Sequence, residues 1–138
     1  MKQSALREGS YALLHGDLRS DNLRFARGHL FLFDWPAITV GRPEWDMIAF
    51  AQSVTVEAGP SPEQIMMWYG ERFSLEGNAV ASALAWWLTF FANRAWRPEI
   101  PGLPRVRRFQ RQQLGTIASW VARYWSFPVP EWIGQLLI

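Results

Sequence analysis

The sequence contains no cysteine, a single lysine, two histidines and little net charge (+2 over 138 residues). Without cysteine there are no disulfides, thiol nucleophiles or thiolate metal sites. His15 and His29 do not make a histidine metal cluster, and His29 reads as a turn residue. The most apolar run, Ala79 to Ala92, is shorter than the ~20 residues needed to cross a bilayer. Met1-Lys2-Gln3-Ser4-Ala5 is polar and lacks the apolar core of a secretion signal. These absences fit a cytoplasmic protein, with no membrane expected as a partner.

Apolar residues make up 49% of the chain and charged residues 19%, a balance that excludes disorder and supports one packed domain over residues 1–138. Nine tryptophans imply broad aromatic packing surfaces. Charge is unevenly spread. Residues 1–78 carry seven Lys/Arg against ten Asp/Glu, and residues 79–138 carry seven Arg against two Glu. With so small a total charge, the arginines read as a solvated helix face, and nucleic acid is not expected as a partner.

Tyr11-Ala12-Leu13-Leu14 is a short apolar run. Asn22–Phe25 and Leu30–Phe33 read as two strands joined by the turn Ala26-Arg27-Gly28-His29. Pro36 to Pro43 reads as a loop. A helix begins near Glu44, with Met47, Ile48, Phe50, Ala51 and Val54 at helical spacing. Ser61-Pro62 starts a second helix. A third, from Ala79 to about Trp96, is apolar nearly all round and is expected to be buried. The prolines between Pro98 and Pro104 mark a loop. A fourth helix runs from about Arg105 to Trp125, with Val106, Phe109, Gln113, Ile117, Trp120, Val121 and Tyr124 on one face. Glu131 to Ile138 is expected to form a last short helix.

The residues that carry chemistry lie early. His15-Gly16-Asp17 is followed by Asn22, five residues after Asp17, and then by Asp34-Trp35 after the hairpin. The order matches the H-R-D-x-x-x-x-N loop and D-F-G of protein kinases, with glycine for arginine and tryptophan for phenylalanine. A carboxylate to take a hydroxyl proton, then an amide and a carboxylate to hold a metal, are the polar groups that phosphoryl transfer requires. Gly41-Arg42-Pro43-Glu44-Trp45-Asp46 supplies a downstream G-x-P-x-x-D. Together these motifs resemble the aminoglycoside phosphotransferase and choline-kinase-like family of small-molecule kinases, over its C-terminal lobe only.

The resemblance implies an α+β, mainly α fold, with a catalytic loop and small β-hairpin packed on a helical bundle. It implies ATP-dependent phosphorylation of a hydroxyl on a small molecule. Asp17 would be the catalytic base, and Asn22 and Asp34 would hold Mg²⁺ and so the ATP. His15 would pack and hydrogen-bond beneath the loop, and Asp46 would buttress it. Arg19 stands where the family commonly has histidine; it reads equally as a phosphate contact or as a partner for Asp21. The family's nucleotide lobe, with its glycine-rich loop and paired lysine, is not recognisable, since Lys2 is the only lysine. The chain alone is therefore expected to bind ATP weakly at best. A separately encoded N-lobe or self-association would complete it. The alternative is a non-catalytic remnant acting as a binding or assembly module. The arginine-rich helices are unsuited to polycationic aminoglycosides, so no drug resistance is expected.

Overall fold

The computed structural model describes residues 11–136, so Lys2, the polar N-terminus and the last two residues lie outside the described residues. The order is β1 (Ala12–Leu14), a 3-10 turn (Ser20–Asn22), β2 (Leu23–Ala26), β3 (His29–Leu32), β4 (Thr39–Gly41), α1 (Glu44–Val56), α2 (Pro62–Gly70), α3 (Gly77–Ala95), α4 (Arg105–Tyr124) and a 3-10 segment (Glu131–Leu136). The fold is α+β and mainly helical, with two small antiparallel sheets. Among the described residues there are two compact units, 11–83 and 84–136, whose boundary falls inside α3.

In the first unit β2 and β3 form the expected hairpin, with Leu23 opposite Leu32 and Ala26 opposite His29. The turn is tighter than the sequence suggests. Only Arg27 and Gly28 form it, both at positive φ (52° and 75°), the signature of a type I′ connection. Asn22 belongs to the preceding 3-10 turn rather than to the strand.

The expected loop between Pro36 and Pro43 contains a strand. Thr39–Gly41 pairs with β1, Leu13 facing Val40 and Leu14 facing Thr39. Three residues are too few to display a two-residue period, and the flanking prolines hide the β-branched Ile38-Thr39-Val40 run.

Helix α1 buries Met47, Ile48, Ala49 and Ala51. Its first residue, Glu44, is also buried. It accepts the Glu76 N–H (3.0 Å) and lies 3.6 Å from Arg42, which in turn pairs with Glu76. These links tie the start of α1 to the segment leading into α3. Helix α2 opens as its sequence predicts, with the Ser61 hydroxyl accepting the Gln64 N–H (3.2 Å) and Pro62 in the first turn.

Helix α3 is not buried all round. Val80, Ala83, Leu84, Trp87, Phe91 and Ala95 form one buried stripe, while Trp86 is 44% exposed. The outer aromatic face covers itself instead. Trp86 stacks on Phe90 at 5.1 Å, and the Arg94 guanidinium sits 3.6 Å over the Phe90 ring. This i, i+4, i+8 ladder lets an apolar composition remain at the surface.

Helix α4 is buried at every position from Gln113 to Trp120. Tyr124, on the same face by its spacing, is exposed at the last residue of α4. Within the second unit Ile133 and Leu136 of the terminal 3-10 segment are also buried. That segment is 3-10 rather than α-helical.

Candidate functional site

The loop between β1 and β2 is fixed from below by Asp46. This residue lies in the first turn of α1, where a carboxylate complements the helix dipole. Its two oxygens accept the His15 N–H (2.6 Å) and the Gly16 N–H (3.0 Å). Gly16 has φ +78°, and a Cβ there would lie 2.6 Å from the Ala37 carbonyl oxygen. Any side chain at position 16 would meet both the left-handed backbone penalty and that collision, which is the local reason for glycine.

His15 is 2% exposed. Its Nε2 donates to the Phe33 carbonyl (2.7 Å), and its Nδ1 accepts the Asp17 N–H (3.3 Å). A carbonyl only accepts, so these partners assign the neutral tautomer with the proton on Nε2. The ring packs 4.5 Å from the Trp35 ring. His15 thus ties the loop to the far end of the hairpin.

Asn22 is 7% exposed. Its Nδ2 donates to the Asp17 carbonyl (2.9 Å) and lies 3.5 Å from the Asp17 carboxylate. The Asn22 main-chain carbonyl accepts the Phe33 N–H (2.9 Å). Phe33 is therefore held at both its N–H and its carbonyl, and Asp34 follows directly. Asp34 is exposed, at φ +55°, and makes no hydrogen bond or ion pair among the described residues. The backbone thus brings Asp17, Asn22 and Asp34 to one end of the hairpin.

Arg19 is paired. Its Nη2 donates to Asp21 (2.7 Å), and its Nε lies 3.6 Å from Asp17. The pairing with Asp21, one of the two readings open from sequence, is present. Ser20 donates to Glu57 beyond the end of α1, an anchor 37 residues away that no local pattern signals. Phe33, Ala37 and Glu57 are the contributors that the motif did not identify. Phe33 and Ala37 act through backbone or through shape, which leaves no residue-type signature, and the Glu57 carboxylate acts across 37 residues of sequence.

Among the described residues, no group of three or more His, Cys, Asp or Glu could hold a metal. An Asn22–Asp34 pair is smaller than that, but its donors are of the right kind. With Nδ2 committed to Asp17, Asn22 keeps its Oδ1 for a ligand, and the Asp34 carboxylate is uncommitted. Two protein oxygens suit Mg²⁺, which keeps waters and takes its remaining ligands from phosphate.

Neither a family model, nor a curated protein, nor a solved structure matches the chain. The site is therefore argued from its own residues. On the side of the loop where Leu18 lies, a groove of about 710 Å³ is walled by Leu14 and Leu18, by Met47 and Phe50 of α1, and by Trp68 and Tyr69 of α2. Burial raises the Tyr69 hydroxyl above its ordinary value, and the Glu44 carboxylate adds to the shift.

Proposed function

We propose that the chain is the catalytic-loop lobe of a kinase-like phosphotransferase that moves a phosphoryl group from ATP to a small-molecule hydroxyl. The observation that carries this reading is the shared anchoring of Asn22. One end of its side chain is bonded to Asp17, and its main-chain carbonyl holds the residue before Asp34. Three polar groups separated in sequence thereby lie near one hairpin end, and their types support a phosphoryl-transfer reading.

Asp17 would orient the substrate hydroxyl and accept its proton as the new P–O bond forms. Asn22 Oδ1 and the Asp34 carboxylate would hold Mg²⁺, which when bound would neutralise phosphate charge. His15 and Asp46 hold the loop backbone and would position it rather than contact substrate or metal. Arg19, by its contacts, lowers the local charge around Asp17 and Asp21.

The test is calorimetric titration of the chain with ATP, with and without Mg²⁺, beside Asp34→Ala. Metal-dependent binding lost in the variant supports the reading. Absence of binding by a folded sample removes phosphotransfer by the chain alone and leaves the assembly reading below.

A second reading has its own support. Leu13 and Val40, paired across β1 and β4, are both exposed, as are Phe25 and Leu30 across β2 and β3. Two-stranded sheets with bare apolar faces are poorly stable alone. A docked lobe from a separate chain, or a second copy, would cover them. Assembly would then be the role, and catalysis the property of the complex. Light scattering after mixing with a candidate lobe, with Phe25→Ser as control, separates the two readings.

A further inference from the structure

The link between α3 and α4, in the second unit, has a composition that the proposed phosphotransfer does not use. Ile100-Pro101-Gly102-Leu103 is a closed turn in which the Leu103 N–H donates to the Ile100 carbonyl (2.9 Å). Proline at its second position and Gly102 at φ +80° are what a type II turn demands. The turn holds Ile100 and Leu103 side by side, and both are exposed, Leu103 at 53%. Trp96, at the end of α3, is 66% exposed. A rigid turn is thus tipped with two aliphatic side chains and flanked by an indole.

Around it the charge has one sign. Between residues 94 and 111 there are six arginines and one acid, Glu99. Arg94, Arg97 and Arg105 have no carboxylate partner among the described residues. Arg94 is instead held over Phe90, and Arg97 donates to Asn93. Arg107 is buried and fixes the loop from within, donating to the Pro98 carbonyl (2.8 Å) and to Gln110 (2.7 Å). Burial lowers the Arg94 guanidinium from its ordinary value, and Arg97 and Arg107 add repulsion, which marks how closely these cations gather. Helix α4 has no acid in its first turn, so its positive end also goes uncompensated.

We infer that this loop attaches the protein to an anionic lipid surface, with Ile100, Leu103 and Trp96 entering the headgroup boundary and Arg94, Arg97 and Arg105 meeting lipid phosphates. Tryptophan is favoured at that depth, aliphatic tips gain from hydrocarbon contact, and exposed arginines are attracted by the surface potential. Nucleic acid is the less fitting polyanion. Strand binding relies on aromatic stacking, and two of the three exposed apolar side chains here are aliphatic. No helix among the described residues is long and apolar enough to cross a membrane, but surface attachment does not require one. The expectation from sequence that no membrane is involved rested on span length and on the lack of a secretion signal, neither of which bears on surface attachment. The inference is independent of the phosphotransferase reading.

The test is co-sedimentation of the whole chain with phosphatidylcholine vesicles, with and without phosphatidylglycerol. Binding is expected only with phosphatidylglycerol, falling as salt is raised. Arg97→Ala and Arg105→Ala should each weaken it about fivefold. Leu103→Glu, at an exposed position that folding tolerates, should abolish it, and Arg24→Ala in the hairpin should change nothing. Equal binding to both vesicles, no binding, or an unaffected Leu103→Glu overturns the inference. So does salt-sensitive retention of single-stranded DNA without vesicle binding.

Discussion

Asp34 stands where stability and chemistry pull in opposite directions. Its φ of +55° lies in the left-handed region, where an L-residue costs about 1–2 kcal/mol. Aspartate can offset that cost with a local hydrogen bond, but Asp34 makes none among the described residues, and its side chain is exposed. Removing the carboxylate therefore loses no contact, while glycine at this position removes the backbone penalty. Glycine's greater freedom when unfolded takes back about 0.5–1 kcal/mol. Asp34→Gly should thus stabilise the fold by about 0.5–1 kcal/mol. Asp34→Ala keeps the Cβ and gains nothing, so it should be neutral or slightly destabilised. The order of stability is glycine, then aspartate, then alanine.

Urea unfolding followed by far-UV circular dichroism measures this, read as a shift of midpoint at constant slope. The same variants titrated with Mg²⁺ and ATP should both have lost metal-dependent binding. Strain kept at a position with no structural partner is a reason to look for a ligand there. The reasoning fails if Asp34→Gly is less stable than the parent, because the carboxylate would then be holding the fold rather than awaiting a cation.

Asp46→Ala leaves two backbone N–H groups without their charged acceptor and should cost about 2–4 kcal/mol, with Asp46→Asn near half of that; a change under 0.5 kcal/mol in urea unfolding would refute the buttress. Tyr69 sits above its usual value of 10.0 when folded, so the unfolded chain ionises first on raising the pH. Stability should be unaffected by Tyr69 below about pH 10 and fall as pH climbs from there towards the folded value, and Tyr69→Phe should flatten that alkaline loss in thermal melts.

Much of the fold is legible because its signals are local. Ser61-Pro62, the glycine of the hairpin turn and the 3.6-residue spacing in α1 each signal their element within a few residues, although the turn is two residues rather than four. Strand β4 is not legible, because its partner β1 lies 27 residues earlier, counted between Leu13 and Val40, and three residues carry no period. The exposure of Trp86 is equally hidden. Composition says apolar, and only the Phe90–Arg94 ladder explains how the surface accepts it. At the candidate site, the candidate polar side chains and the side-chain supports His15 and Asp46 are readable, while the supports from Phe33, Ala37 and Glu57 are not. Asp17, Asn22 and Asp34 declare themselves by type and order. The Phe33 backbone and the Ala37 carbonyl do their part through atoms that every residue possesses.

That division explains how the loop is built. The groups proposed to react are few, and two of them, Asp17 and Asp34, are partly or fully exposed. The groups that hold them are buried or are backbone: His15 at 2% exposure, Asn22 at 7%, and the amides of His15 and Gly16 on Asp46. Position is therefore set mainly by these contacts, to which the Asp17 carboxylate adds its approaches to Asn22 Nδ2 (3.5 Å) and Arg19 Nε (3.6 Å). The Asp34 side chain has no hydrogen bond or ion pair among the described residues to lose, whereas changes at His15, Gly16 or Asp46 remove contacts that hold the loop. A site preorganised in this way can be tested one carboxylate at a time, and loss of binding with retention of fold is then an interpretable result.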